Sequence, residues 1–385
     1  MAFFRNRTVN RLNLHYGVQA FAENAGGVFA FVYLLRAGVS VPATLTAIAA
    51  LLAGRFAMRP TVLPLAKRCG LRPVLVGGTL VIAISYPMLA TVQSVGPPLA
   101  AYCFVASLGG VLYWTSFHAY FAAAGDSEHR GHQIGAREAL AAMLAIIAPL
   151  AGGWSLATTG PGRTFAAVGI IQAMAALPLI GAPNVVVALS ARRAFRAARL
   201  GFLLFAADGC FAAGFYYIWQ IALFISLDQS LSAYGGALAL AALVGAVCAL
   251  LLGRHIDTGY GRQAVFVAYS LAVIVVLLRA ASFGWPWLAV VANAAGALVG
   301  ALVIPTLMTP LYNLAKASPC PLRFNIVTEG AWDIGCGAAC LLAAGLAAAG
   351  LSLGATVLLA LPGATAVVAL LSRYYDLRGA AESEI

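Results

Sequence analysis

Charged side chains are scarce in this sequence. Only 9% of its 385 residues are Asp, Glu, Lys or Arg, while 62% are hydrophobic; soluble domains carry about 25% charged residues. Such a chain cannot cover its own surface with polar groups, so a lipid bilayer must be its solvent. The apolar runs are continuous and do not alternate with polar residues, which excludes a membrane β-barrel.

Motifs of enzyme chemistry are also missing. The sequence contains no GxxxxGK[ST] phosphate loop, no HExxH zinc motif and no GxSxG nucleophile elbow. Its seven cysteines form no CxxC pair and no cluster with histidine. We therefore expect neither enzyme activity nor ATP-driven transport, and neither a cofactor nor a metal.

The apolar runs predict an all-α integral membrane protein with twelve transmembrane helices, each of about 20 residues. We number them span 1 to span 12, over residues 12–35, 41–65, 73–92, 98–121, 134–157, 164–182, 200–227, 231–252, 263–282, 285–314, 325–349 and 353–371. Within this set, spans 3, 6, 9 and 12 carry few or no charges and suit lipid contact.

Positive charge sets the predicted orientation. Of the 23 Lys and Arg residues, we place only Arg36, Arg163 and Arg279 on the outer side. The positive-inside rule then makes both termini cytoplasmic. We expect a monomeric multi-pass protein of a bacterial inner (cell) membrane, whose basic residues set topology rather than bind nucleic acid.

Two acids lie inside predicted spans, at matching places in the two halves of the chain. Glu23, followed by Asn24, is near the middle of span 1, and Asp208 is in span 7; 208 − 23 = 185, close to half of the length. An intramembrane carboxylate costs roughly 2.5–3.5 kcal/mol on insertion scales and usually faces a cavity or a partner. The repeat predicts six-helix bundles over residues 1–182 and 200–385, joined by a cytoplasmic linker, 183–199.

These acids are candidates for proton coupling. At 1.5 Å per residue, Arg55 of span 2 lies at the depth of Glu23, and Arg59 lies one turn nearer the cytoplasm. Protonation of Glu23 would release Arg55; a static ion pair between the two spans is the alternative. We expect Asp208 to be unpaired and to bind a proton or cation. His118 of span 4 is a further relay candidate, unless it is satisfied locally.

Aromatic and amide side chains on spans 4, 7 and 10 are candidates for a substrate cavity. Such amphipathic rings suit a moderately apolar or amphipathic solute, whereas helix packing and interfacial anchoring are the alternatives. The residues are Tyr113, Trp114, Tyr216, Tyr217, Trp219, Gln220 and Asn293.

Two loops carry a related motif. The loop after span 8 reads GRHIDTGYGR, residues 253–262, and the loop after span 2 reads LPLAKRCGLR, residues 63–72. Both resemble the G-x-x-x-D-[RK]-x-G-[RK]-[RK] motif of the major facilitator superfamily, which latches the cytoplasmic face in both halves. The second copy keeps Gly253, Asp257, Gly261 and Arg262; the first keeps Arg68, Gly70 and Arg72, with Lys67 at the acidic position.

Other features agree with this resemblance. Pro149, Gly152 and Gly153 in span 5 resemble the G-P-x-x-G-G element of exporters in that superfamily. Glu138 opens span 5 and Glu329 opens span 11, at an offset of 329 − 138 = 191, and Asp333 follows one turn later. We assign these acids to the cytoplasmic gate; a solvated helix N-terminus also explains Glu329 and Asp333.

The resemblance implies alternating access by two six-helix halves, with spans 1, 4, 7 and 10 lining a central cavity. We predict a proton-coupled secondary transporter of a small organic or amphipathic solute, with export slightly favoured. The alternatives are a solute importer, a lipid or lysolipid flippase, and a non-transporting membrane receptor.

Overall fold

The structure is a computed structural model. It describes residues 6–124, 130–187, 198–256 and 261–383; within these ranges, the side chains of residues 122, 130–136, 138, 249–256 and 377–383 lie outside the description. The described residues are almost entirely helical and contain no β-strand.

Twelve helices in the described chain are long and apolar enough to cross a membrane, which confirms the predicted all-α fold with twelve spans. From here on, spans 1 to 12 denote Arg7–Arg36, Val41–Cys69, Leu71–Leu89, Pro97–Phe121, Ala139–Thr158, Pro161–Leu179, Arg199–Ser226, Leu231–Cys248, Gly261–Ser282, Pro286–Ala317, Pro321–Ala348 and Leu353–Asp376.

Local sequence explains where several spans begin. The Asn6 side chain accepts hydrogen bonds from the amides of Thr8 and Val9 (both 3.1 Å) and thereby caps span 1. Ser40 caps span 2 in the same way through Ala43. Gly70, at φ 81°, separates span 2 from span 3 in a left-handed conformation that a residue with a Cβ rarely adopts.

The chain divides into two compact units. Unit 1 comprises Met1–Arg192 and Gln229–Ala239; unit 2 comprises Arg193–Asp228 and Leu240–Ile385. The start of span 8 therefore packs within unit 1. The two six-helix bundles over residues 1–182 and 200–385 were inferred from the sequence repeat, and they remain a prediction.

The first span of each predicted half contains an irregular segment just after its acid. Span 1 leaves α-helical geometry at Gly26 and forms a 3₁₀ turn over Gly27–Phe29, four residues after Glu23. Span 7 widens into a π-helix over Ala213–Ile218, five residues after Asp208. Continuous helices were predicted at both places, because side-chain hydrophobicity is the same in either backbone geometry.

Glycines let these irregular spans touch their neighbours closely. A Cβ at Gly152 of span 5 would lie 2.1 Å from the carbonyl oxygen of Ala25 in span 1. In unit 2, a Cβ at Gly335 of span 11 would lie 2.0 Å from the carbonyl oxygen of Ala206 in span 7. The hydrophobic effect does not drive helices together in lipid, so association depends largely on van der Waals packing. Small residues at such contacts increase that packing because they let the backbones approach closely.

We predict that Gly335→Ala destabilises the protein, whereas Gly345→Ala on the same span does not. The added methyl group at 335 meets backbone that cannot swing aside, and overpacking of this kind costs about 1–3 kcal/mol. At 345 nothing lies within 4 Å of the added Cβ, and alanine favours the helix. Thermal unfolding in detergent micelles measures the difference; equal midpoints for the two variants would show that the 335 contact carries no packing energy.

Candidate transport site

Glu23 is exposed on span 1 at the point where the helix changes geometry. The Tyr86 hydroxyl of span 3 donates a hydrogen bond to its carboxylate at 3.4 Å. The carboxylate also lies over Gly27, where a Cβ would be 2.5 Å from the carboxyl carbon. Because glycine has no Cβ, Gly27 leaves space for the Glu23 carboxylate.

The two arginines of span 2 differ in their surroundings. Arg55 is half-buried and its charge acts on Glu23 through space; its side chain passes 3.7 Å from the Cβ position of Gly110 in span 4. Arg59 is fully buried and donates a hydrogen bond to the Thr115 hydroxyl at 3.0 Å. Arg55 thus remains the candidate partner of Glu23, and Arg59 ties span 2 to span 4.

Asn24, the other polar residue predicted beside Glu23, turns back on its own helix. Its amide donates to the Ala20 carbonyl at 2.8 Å. This local hydrogen bond, to the carbonyl four residues earlier, gives one N–H of the amide a partner within its own helix. His118 is half-buried and stacks on Trp114, with ring centroids 5.8 Å apart.

An aromatic cluster in unit 1 surrounds two residues that the sequence analysis did not single out. The Arg137 guanidinium lies 5.0 Å from the Tyr16 ring centroid and 4.9 Å from that of Phe121. Buried His15 donates from Nδ1 to the Ala175 carbonyl at 2.6 Å and lies 5.5 Å from the ring of Tyr113. The run of aromatic residues on span 4 was the available indication of this cluster.

Asp208 in unit 2 is not bare, so the expectation of an unpaired acid is wrong. The indole N–H of Trp332, on span 11, donates to its carboxylate at 3.0 Å. Trp332 also lies 6.3 Å from the ring of Tyr217. Charge patterning in the sequence cannot predict this contact, because an indole can donate a hydrogen bond without carrying charge.

The predicted cavity residues separate into buried and accessible groups. Tyr113, Trp219 and Asn293 are buried, and Trp219 donates its indole N–H to the Asn293 side-chain oxygen at 3.0 Å. These three therefore pack inside their units instead of lining accessible space. The remaining candidates have partly or fully exposed side chains: Trp114, Tyr216, Tyr217 and Gln220.

Arg279 is buried, contrary to the expectation for a lipid-facing span. It was assigned to the outer end of a lipid-facing span, yet its side chain is only 3% exposed. Nη1 donates to the Phe215 carbonyl at 2.5 Å, in the π-helical segment of span 7. Hydropathy places an arginine along the membrane normal but cannot tell whether it faces lipid or protein.

The loop after span 2 is held without the acidic residue of its motif. Arg72 donates to the carbonyls of Ala182 at 2.7 Å and Ile180 at 3.3 Å, just beyond span 6. Asn184 bridges the same loop by donating to the Cys69 carbonyl at 2.7 Å and accepting from the Arg72 amide at 3.2 Å. Carbonyls at a helix C-terminus carry partial negative charge, so they can replace a carboxylate as the partner of a cation. Arg68 is exposed.

The loop after span 8 is described in part. Arg262 forms a salt bridge of 2.7 Å with Asp376, at the end of span 12. Gly261 faces Tyr375, whose ring atom would lie 2.4 Å from an added Cβ. Asp257 lies outside the described residues, and so do the surroundings of Gly253 and the side chain of Glu138.

Glu329 and Asp333 do not lie at a solvated helix N-terminus. Span 11 begins at Pro321, so the two acids lie in its third and fourth turns. Asp333 is only 1% exposed, whereas Glu329 is partly exposed. The predicted start at residue 325 was too late because Pro321 is well suited to the first helical turn.

Comparison with known proteins identifies the family. The sequence model of the Major Facilitator Superfamily matches residues 16–319, which is well over half of the chain. The protein belongs to the Major Facilitator Superfamily. The resemblance based on the two loop motifs is thereby confirmed.

Solved structures agree with this membership. The chain is similar to the nucleoside transporter NupG, with a TM-score of 0.65 and 12% identity over 96% of this chain and 99% of that one. It is similar to the POT family transporter PepTSo, with a TM-score of 0.69 and 12% identity over 97% and 99%. Identity this low shows a shared fold. A comparison with curated proteins found no significant match.

Membership of the Major Facilitator Superfamily makes this chain a secondary transporter of a small molecule and not an enzyme. It is an integral multi-pass membrane protein. Among the described residues, no group of three or more His, Cys, Asp and Glu side chains could hold a metal ion.

We predict that the Asp208–Trp332 hydrogen bond stabilises the fold. A double-mutant cycle with Asp208→Ala and Trp332→Phe should give a coupling free energy of about 0.6–1.7 kcal/mol, the range for hydrogen bonds between membrane helices. Unfolding by SDS from detergent micelles measures it. Trp287→Phe, at an indole that is 86% exposed, is the matched control and should leave stability unchanged. A coupling energy of zero would mean that the contact contributes nothing.

Proposed function

We propose that this transporter couples solute movement to protons and exports a small organic or amphipathic solute by alternating access. The observation that carries the proposal is the setting of Glu23, an exposed carboxylate within a membrane span, hydrogen-bonded by Tyr86 and attracted by Arg55. An acid held in this way is costly in a bilayer, and such residues mark ion and proton pathways.

Glu23 would work as a charge switch between spans 1 and 2. A proton from water neutralises the carboxylate and removes its attraction to Arg55, while the hydroxyl of Tyr86 can still hydrogen-bond the neutral acid. Arg59 donates a hydrogen bond to Thr115, and that bond does not involve Glu23, so we expect it to persist in both states. Proton binding thus changes the electrostatic energy of one helix contact and leaves its neighbour intact. A change of this kind biases an equilibrium between two conformations.

Asp208 is proposed as a second site of protonation, with Trp332 as its hydrogen-bond donor. His118 is retained as a relay candidate through its place beside Trp114. The two acids would not be equivalent, because the charge of Arg55 acts on Glu23 whereas Asp208 accepts a hydrogen bond from the neutral indole of Trp332.

The accessible aromatic residues support the solute class. Trp114, Tyr216 and Tyr217 offer ring faces together with polar groups, and Gln220 adds an amide. Such surfaces favour solutes with an apolar body and a polar group. Export is favoured by the Pro149–Gly153 segment, in which Gly152 permits the close contact with Ala25.

The remaining assignments follow from the family and from the distribution of charge. We propose a monomer in a bacterial inner membrane, with both termini cytoplasmic and two six-helix bundles that move against each other. Arg72 with its helix-end carbonyls, and Arg262 with Asp376, would then fasten the cytoplasmic ends of helices in each half.

Reconstitution in liposomes tests the proposal. A panel of labelled cationic, anionic, zwitterionic and neutral amphipathic solutes is offered with and without an imposed pH gradient. We expect flux of at least one amphipathic solute that depends on the gradient and runs opposite to the proton flow. Flux that follows the protons would make the protein an importer, and movement of a labelled lysolipid alone would make it a flippase. Flux that ignores the gradient would exclude proton coupling.

We predict that Glu23→Gln abolishes gradient-driven flux but leaves solute exchange measurable, because glutamine keeps the shape of the acid but cannot bind and release a proton. Asp228→Asn is the matched control: it removes one negative charge at an exposed turn outside the spans and should transport like the parent. Normal driven flux in Glu23→Gln would limit this acid to a structural role.

A further inference from the structure

Arg279 makes an unusual set of contacts for a residue in a membrane span. Its guanidinium bonds the Phe215 carbonyl, with its central carbon 4.1 Å from the Phe215 ring centroid and 4.9 Å from that of Trp219. A cation over aromatic rings is attracted by the negative faces of the rings, and the attraction is stronger where water is scarce. The hydrogen bond and both ring contacts of Arg279 are therefore made to Phe215 and Trp219, four residues apart on span 7.

Phe215 lies inside the π-helix Ala213–Ile218, and Trp219 follows it directly. A π-helix is a rare geometry that usually forms one wide turn and often marks a functional site. Its wide turn draws carbonyls away from the regular helical pattern, and within lipid each carbonyl needs a partner from the protein. The Phe215 carbonyl receives that partner from span 9.

Glycine on span 10 makes room for the arginine. A Cβ at Gly296 would lie 1.8 Å from Nη2 of Arg279, so any larger residue there would displace the guanidinium. One turn later, a Cβ at Gly300 would lie 4.0 Å from the Tyr216 hydroxyl, with ordinary contact and no clash. Alanine at 296 therefore tests displacement of the arginine, and alanine at 300 is a control for adding a methyl group to the same span.

The π-helix changes the directions in which side chains before and after it face, relative to each other. Asp208 bonds span 11 through Trp332, and Trp219 bonds span 10 through Asn293. In a regular α-helix with about 3.6 residues per turn, residues eleven apart face nearly the same way. The π-turn changes the angle between them by about 100°, one residue's rotation, so the same span can reach two different neighbours.

We propose that Arg279 is a positioning residue that holds span 7 in its π-helical form and thereby keeps the Tyr216 ring on an accessible surface. Tyr216 is 38% exposed, although both of its neighbours in the π-turn, Phe215 and Tyr217, are more buried. The role of this ring in solute binding rests on the proposed function; the positioning itself does not.

Cysteine accessibility tests the positioning without any solute. Single cysteines replace Phe215, Tyr216 or Gln220, and N-ethylmaleimide modification is quantified at each peptide by mass spectrometry, which separates these sites from the native cysteines. In the parent, position 216 should label rapidly and 215 slowly. With Arg279→Gln or Gly296→Ala, the wide turn should close, so that labelling falls several-fold at 216 and rises several-fold at 215 or 220.

Two further variants keep the test decisive. Gly300→Ala should retain the parent labelling pattern, and Arg279→Lys, which keeps the charge but not the planar fork, should give an intermediate pattern. Unchanged labelling in folded Gly296→Ala and Arg279→Gln proteins would overturn the proposal. Loss of folded protein in Gly296→Ala and in both Arg279 variants, with Gly300→Ala intact, would assign Arg279 to global folding instead of positioning.

The outcome is separable from that of the transport experiment. A labelling change with no detectable solute flux would keep the positioning role and reject the proposed function. Gradient-driven flux with parent-like labelling in every variant would keep the proposed function and reject the positioning role. If both hold, Arg279→Lys should raise the KM for the solute more than it lowers the maximal rate, because the binding surface is turned while the proton site is untouched.

Discussion

A polar group without a hydrogen-bond partner costs several kcal/mol within lipid, and this constraint explains several of the side-chain contacts between spans. Arg59 reaches Thr115, Trp332 reaches Asp208, and Trp219 reaches Asn293. Each bond joins two different spans. Polar residues in this apolar chain therefore determine which faces of the helices meet, while glycines determine how closely they approach.

The same constraint makes the irregular segments of spans 1 and 7 informative. Each departs from α-helical geometry within five residues of an acid, Glu23 in span 1 and Asp208 in span 7. The two solutions differ. Span 1 uses adjacent glycines and leaves room for the Glu23 carboxylate, whereas span 7 uses a wide turn whose carbonyl is bound by Arg279. The two acids are therefore followed by irregular segments of different chemistry.

The loop after span 2 shows a related substitution of one partner for another. Its motif has Lys67 where the family pattern has an acid, yet the loop is held firmly. Arg72 and Asn184 use backbone groups near the end of span 6 as their partners. A loop that lacks the acidic residue of its motif can therefore still bind its arginine. The partial negative charge comes from backbone carbonyls at a helix terminus, which the side-chain sequence does not show.

The sequence by itself determined the solvent, the number of spans and the family, because these depend on hydrophobicity summed over about 20 residues and on motifs that are contiguous in the chain. It also located Glu23 as the acid in the first span. It did not determine the partner of Asp208, the burial of Tyr113 and Asn293, or the position of Arg279. Those depend on which face a helix turns to its neighbour. In a chain that is apolar on every face, periodicity carries almost no information about that rotation, and only tertiary contacts decide it.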